Sequence, residues 1–215
     1  MNSPDYRCYF VTGGAPARDV VHIATQAALG GAGIIQVRSK PISARDLFAL
    51  TEQVATAVAH ANPDTRVLVD DRVDVYLALK AAGSPVHGVH LGQDDLPVKW
   101  ARQLIGPDAI LGLTTGTREL ILDANAQAKH LDYVGCGPFR ATPTKDSGRT
   151  PIGLAGYEEL VPVSQLPVVA IGDVTAQDVP ELAATGVAGV AVVRGIMNAP
   201  DPGAYCQEIL QGFKP

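Results

Sequence analysis

Gln36, Arg38 and Lys40 stand at alternate positions where the apolar run GIIQVR ends and the chain turns. Similar groupings recur downstream at the ends of other apolar runs. RVLVD leads into Asp70, Asp71 and Arg72. GVHL contains His90 and leads into GQDDLP with Asp95. AILGLT ends on Thr114, and YVGCG leads into FRATPTKDSG with Thr142, Pro143, Thr144 and Lys145. PVVAIG ends on Gly172, and GVAVVR ends on Val193 and Arg194. One part of this set is cationic (Arg38, Lys40, Lys145, Arg194) and one is acidic (Asp70, Asp71, Asp95). Cations beside paired carboxylates suit a magnesium-diphosphate ligand. Mg²⁺ takes one or two protein carboxylates and completes its shell with water and phosphate oxygens. Lysine and arginine take the remaining phosphate charge, and hydroxyls and glycine amides add neutral donors with little bulk.

Each group also has an ordinary structural reading. An Asp-Asp-Arg turn is usually a helix start with acids at the positive end of the dipole, and GQDDLP fits the same description. His87 and His90 read as strand or packing residues, Cys136 as core, and a loop lysine as a solvated charge. What favours function is that all these groups fall at the same end of successive apolar runs.

There are eight such runs, at 8–12, 33–38, 66–70, 88–91, 109–114, 133–137, 167–172 and 189–194. They are continuously apolar rather than alternating, as strands buried on both faces are. Ala-rich segments of helical period lie between them. The clearest is 43–61, with Ser43 as N-cap and Asp46 three residues on. Another runs from Thr175 to Gly186, and Pro180 inside it predicts a kink or a late start. Eight strand–helix units predict an α/β fold, a single-domain (β/α)8 TIM barrel over residues 1–215, in which active groups gather at the C-terminal ends of the strands. The rival is a doubly wound open sheet, but no GxGxxG follows the first run.

The bulk properties agree with a compact catalytic or binding domain: 215 residues, 47% hydrophobic and 18% charged. The net charge of -5 argues against nucleic acid or a membrane surface as partner. Cys8, Cys136 and Cys206 form neither a disulfide framework nor a zinc spacing. No signal-peptide core precedes the first run and no segment reaches transmembrane length. The expectation is a cytoplasmic protein acting on small phosphorylated molecules, with a homo-oligomer compatible with the sequence.

Over nearly its whole length the chain resembles the thiamine phosphate synthase family. QVRSK at 36–40 is similar to the family's Q-x-R-x-K, LVDDRVD at 68–74 to its segment with N-D before V-D, GVHLGQDDLP at 88–97 to its fourth motif, and ATPTK at 141–145 to its T-x-T-K. The resemblance implies that a hydroxymethylpyrimidine diphosphate is joined to a thiazole phosphate, with loss of pyrophosphate and Mg²⁺ as cofactor. It implies that Gln36, Val37, Arg38, Ser39, Lys40 and Asp70 hold the pyrimidine diphosphate and that Asp71 and Asp95 ligate the metal. Thr114 stands where the family has a phosphate-binding serine. Thr142, Pro143 and Thr144 would contact the thiazole, Lys145 and Arg38 would act on the departing pyrophosphate, and Gly172, Val193 and Arg194 would take the thiazole phosphate.

Three positions depart from the family pattern. Asp70 replaces the usual Asn, and is expected to share the metal or stay protonated. Asp173 replaces a glycine, and is expected to point outward as a helix cap. Gly116 lies where many relatives carry His. Alternative readings are a thiazole tautomerase on the same barrel, disfavoured by Gly116 and the retained Lys40 and Lys145, and a non-catalytic phosphate-binding barrel.

Overall fold

A computed structural model describes residues 4–13, 15–141, 148 and 150–214. Eight parallel strands close on themselves in sequence order: β1 (Cys8–Val11), β2 (Ile34–Val37), β3 (Arg66–Asp70), β4 (Gly88–Leu91), β5 (Ile110–Thr115), β6 (Tyr133–Cys136), β7 (Val168–Ile171) and β8 (Gly189–Val192). β1 pairs with β8 to complete the (β/α)8 barrel. The helices between them are α1 (Ala17–Leu29), α2 (Ala44–Ala61), α3 (Val73–Ala81), α4 (Val98–Ile105), α5 (Arg118–Ala126), α6 (Gly153–Leu160), α7 (Val179–Ala184), α8 (Arg194–Met197) and α9 (Pro202–Gly212).

The strands alternate strictly, as the pleat requires. Cys8, Phe10, Ile35, Val37, Val67, Val69, Val89, Leu91, Leu111 and Leu113 pack outward with the helices in the larger core cluster. Tyr9, Val11, Ile34, Leu68, Ile110, Tyr133, Val169 and Ala191 point inward and fill the barrel. Continuing inward on four consecutive strands are Gln36, Asp70, His90 and Thr114. The corresponding ends of β7, β8 and β1 carry Ile171, Val193 and Val11, so one half of the barrel mouth is polar and the other apolar.

Helix starts follow their capping chemistry. Ser43 Oγ accepts from the Asp46 amide at 3.1 Å, as its position predicts. Thr175 and Asp178 make a reciprocal capping box at the start of a 3-10 turn, Ala176–Asp178, and α7 begins only after it, with Pro180 near its first turn. The late start expected from Pro180 is what the chain does, because proline lacks the amide that a helix interior would need. The eighth strand is shorter than its apolar run, since the chain turns into α8 at Arg194.

One glycine is decided by the barrel interior. A Cβ on Gly112 would lie 2.2 Å from the fully buried ring of Tyr133, its neighbour on β6. Gly112→Ala therefore overpacks the interior, and overpacking of this kind costs about 1–3 kcal/mol. For a chain of this size the expected loss in thermal denaturation is about 2–10 °C in Tm; an unchanged Tm would show that the Tyr133 ring has slack.

Candidate active site

The C-terminal mouth of the barrel opens into a cavity of about 640 Å³ lined from every strand. Gln36, Arg38, Lys40, Asp70, Asp71, Asp95, Thr114, Gly172, Val193 and Arg194 all line it, as their positions at strand ends predict. Val37 and Ser39 do not: Val37 faces outward into the helix-packing core, because it alternates with Gln36 and Arg38. Thr142, Pro143, Thr144 and Lys145 lie outside the described residues.

Each charged group is held by a specific local device. The Arg38 amide donates to Thr12 Oγ1 at 2.9 Å, and the same hydroxyl donates to the Arg38 carbonyl at 2.8 Å, which fixes the backbone under the guanidinium. Asp71 sits at φ 60°, a left-handed conformation that aspartate tolerates better than most residues, and its amide donates to the His90 carbonyl at 2.8 Å. That turn brings its carboxylate against Lys40, with which it makes an ion pair, and within hydrogen-bonding reach of Asp95. Asp95 Oδ2 also accepts from the Gly92 amide at 2.6 Å. The Asp-Asp-Arg segment does precede a helix, but Asp74 rather than Asp71 occupies the first turn of α3.

Asp70 is the unusual group. It is only 7% exposed and its Oδ1 accepts from Gln36 Nε2 at 2.5 Å. Oδ2 has no hydrogen-bond donor among the described residues, with Lys40 Nζ at 3.5 Å and Arg38 Nε at 3.7 Å. Burial, then the charge of Asp71, pushes its pKa up to about 6, against the pull of Lys40, Arg38 and Gln36. Burial also raises Asp71, but Lys40 and the hydrogen bond with Asp95 outweigh it and hold the Asp71 carboxyl below its ordinary range. Asp95 is raised, by burial and by its neighbour Asp71, against the Gly92 amide.

The donor set suits a hard divalent cation. Two carboxylates from the ends of β3 and β4 meet, and Asp70, whose Oδ2 accepts no hydrogen bond among the described residues, lines the same cavity. Among the described residues no three His, Cys, Asp or Glu side chains form a metal-ligating group. A full protein cage is thus missing from them, and the arrangement fits Mg²⁺, which keeps water and substrate oxygens in its shell.

Asp173 does not cap a helix outward, as its sequence position suggests. It lies at φ 57° on the cavity wall with its carboxylate ion-paired to Arg194, while Thr175 and Asp178 do the capping. The left-handed turn is thereby kept, and the acid is compensated by Arg194. Gly172, at φ 108°, lies so close to Pro138 that a Cβ would sit 2.5 Å from its Cα. Arg140 ties the same wall down: Nη1 donates to Asp178 Oδ2 at 2.7 Å and to the Asp173 carbonyl at 3.2 Å, and the guanidinium lies over the Phe139 ring.

Three lining residues were not legible as functional in the sequence. Tyr9 and Tyr133 sit inside apolar runs and read as core, and His90 reads as packing. Their hydroxyls and ring nitrogens instead form the polar floor: Tyr9 to Gln36 at 2.8 Å, Tyr9 to Tyr133 at 2.7 Å, and His90 to Tyr133 at 2.8 Å and to Thr114 at 3.0 Å. Period-two alternation with Val11 and Gly135 was the only available signal.

Asp70 makes a pH prediction. Its folded pKa of about 6 lies above the unfolded 3.8, so the ionised carboxylate costs stability above about pH 6. That cost shrinks as pH falls through 6 and vanishes below 3.8. Asp70→Asn should therefore stabilise the protein at neutral and alkaline pH by on the order of 1–3 kcal/mol, with the gain fading in acid. A Tm difference independent of pH would contradict the raised pKa.

The chain matches the profile of the thiamine monophosphate synthase family over residues 8–196. It is 61% identical over 211 residues to a thiamine-phosphate synthase from Corynebacterium efficiens, covering 98% of this chain and 96% of that protein. It is 62% identical, with the same coverage, to one from Corynebacterium jeikeium. Among solved structures, a thiamine phosphate pyrophosphorylase from Pyrococcus furiosus superposes with a TM-score of 0.82 at 30% identity, over 98% of this chain and 96% of that one. A 3-hexulose-6-phosphate synthase from Salmonella typhimurium, at TM-score 0.70 and 17% identity over 96% of this chain and 98% of that one, shares the fold alone. The chain belongs to the thiamine monophosphate synthase family.

Proposed function

We propose that the protein is a thiamine phosphate synthase, a transferase that joins hydroxymethylpyrimidine diphosphate to hydroxyethylthiazole phosphate and releases pyrophosphate. The observation that carries this reading is the convergence of Arg38, Lys40, Asp70, Asp71 and Asp95 at one barrel mouth, in a chain with 61% identity to a named synthase. A diphosphate is a good leaving group only if the charge that grows on it is met by fixed opposite charge. Arg38 and Lys40 would supply this charge, and Lys145 joins them on the family motif.

Asp71 and Asp95 would hold Mg²⁺, which when bound neutralises diphosphate oxygens. This matters because two unit charges about 4 Å apart interact by roughly 4 kcal/mol at an effective dielectric near 20, and a bare diphosphate beside three aspartates would be repelled. Gln36 and Asp70 position the pyrimidine side, while Thr142, Pro143 and Thr144 are assigned to the thiazole. Gly172, Val193 and Arg194 are assigned to the thiazole phosphate, near the general phosphate site of this fold. Backbone amides serve there, since the Arg194 side chain is already paired with Asp173. In the reaction the bond between the pyrimidine methylene carbon and the diphosphate oxygen breaks, and the thiazole nitrogen forms the new bond to that carbon. No protein nucleophile is required. The apolar half of the mouth, Val11, Ile171 and Val193, excludes water from the cationic methylene.

The test is direct assay of purified protein with both substrates, following thiamine phosphate and pyrophosphate. Turnover is expected and should be lost in excess chelator; binding of both substrates without product would favour the non-catalytic barrel. Lys145→Ala is expected to lower kcat by about 10²–10³ with a smaller effect on KM, by comparison with loss of one preorganised donor. Asp71→Ala and Asp95→Ala should abolish metal-dependent turnover; wild-type rates in either would remove that residue from the metal site.

A further inference from the structure

The last helix, α9, packs on the outside of the barrel, yet one of its side chains reaches the turns that follow β7 and β8. Pro202, Cys206 and Ile209 are the buried residues of α9, and Asp201 Oδ1 caps its start by accepting from the Ala204 amide at 2.9 Å. The helix runs so close to α1 that a Cβ on Gly30 would lie 2.3 Å from the Gly203 carbonyl oxygen. Tyr205 extends from this fixed support, half-buried against the helix-packing core. It is not among the residues that line the cavity.

The Tyr205 hydroxyl stands between the two turns. On one side it accepts from the Ala176 amide at 3.1 Å. Ala176 opens the 3-10 turn after Thr175, and the first amide of a helical turn has no acceptor within the turn itself. Ala176 is 4% exposed, so water is poorly placed to replace the phenol. On the other side the ring lies against Gly195, where a Cβ would fall 2.5 Å from the hydroxyl oxygen and 2.8 Å from Cζ. Gly172, Asp173 and Thr175 on the first turn line the cavity, as do Val193, Arg194 and Gly195 on the second. One phenol from outside the site thus touches both turns at once. Gln177 Nε2 also ties the first turn to α9, through Glu208 Oε1 at 3.2 Å, but that bond is exposed.

We infer that Tyr205 is a positioning residue that sets the spacing of the β7 and β8 turns, and through it the affinity of the site for the thiazole phosphate. The identity of that ligand rests on the proposed synthase activity; the bridge between the turns does not. The diphosphate side is held by other devices, Thr12 under Arg38 and the left-handed turn at Asp71, so a change at Tyr205 acts on one substrate and spares the other. Without the hydroxyl the Ala176 amide loses its acceptor, and the turn is displaced for part of the time. Apparent affinity falls by the fraction of protein left in the binding-competent arrangement. For one lost buried hydrogen bond the expected fall is about fivefold.

The first measurement is steady-state kinetics of Tyr205→Phe with each substrate varied in turn. The KM for hydroxyethylthiazole phosphate should rise about fivefold, while kcat and the KM for hydroxymethylpyrimidine diphosphate stay unchanged. A purely structural role would lower Tm and spread the loss over all three parameters, and that result, or an unchanged thiazole phosphate KM, overturns the inference. Gly195→Ala presses on the same spacing from the other side and should raise the same KM. Its effect should be smaller in the Tyr205→Phe background, where the closest contact is gone; strictly additive effects would show two independent sites. The second measurement needs no turnover. Amide hydrogen exchange in Tyr205→Phe should quicken over residues 172–176 and 193–196 and stay as in the wild type over 70–74 and 92–95. Unaltered exchange in the first two segments overturns the bridge. A protein that shows this exchange pattern but forms no thiamine phosphate would refute the synthase activity and leave the role of Tyr205 standing; a working synthase with unaltered exchange and KM would do the reverse.

Discussion

The site depends on one geometric constraint: in a closed parallel barrel every second residue of each strand is forced inside, where there is little room and no bulk water. Side chains that the rest of the interior would exclude are tolerated only in the last layer before the mouth. Gln36, Asp70, His90 and Thr114 occupy that layer on β2 to β5, above an apolar plug that includes Ile34, Leu68 and Ile110. A slip of one residue in any of these strands would send the polar group into the helix-packing core and bring a valine or leucine to the cavity.

The same layer explains the energetics of the acidic side. A buried carboxylate is costly unless it is paired and hydrogen-bonded, and Asp70 is only partly compensated: Gln36 binds one oxygen while Arg38 and Lys40 stand 3.7 Å and 3.5 Å from the other. Asp71 is better served because its left-handed turn carries it to Lys40. Neighbouring aspartates therefore differ in opposite senses, one raised by burial and one lowered by its cation. Such separation of adjacent titratable groups is characteristic of sites that manage charge.

The opposite wall is built for rigidity. Arg140 bridges Asp178 and the Asp173 carbonyl, and Tyr157 donates to the Cys136 carbonyl at 2.6 Å while receiving the Ile171 amide at 3.3 Å. These contacts lock the ends of β6 and β7 to α6 and to the turn before α7. Asp173 is absorbed into this wall through Arg194, so the acid beside the Gly172 turn is matched by charge.

The sequence by itself determined the barrel, because eight continuously apolar runs separated by helical segments leave few other ways to bury both faces of every strand. It also determined most of the charged mouth, since Arg38, Lys40, Asp71 and Asp95 stand at strand ends, where a polar residue after an apolar run has nowhere else to go. Ser43 and Thr175 were legible as caps because capping is local chemistry within three residues. What only the tertiary structure decided are the contacts between strands far apart in the chain. Tyr9 and Tyr133 are separated by 124 residues, and nothing local distinguishes their hydroxyls from those of tyrosines in an ordinary core. The space for the Tyr133 ring comes from Gly112 on the next strand, and the partner of Asp173 from Arg194 on another. Register across a closed sheet sets such distances, and register is a property of the whole barrel rather than of any segment of it.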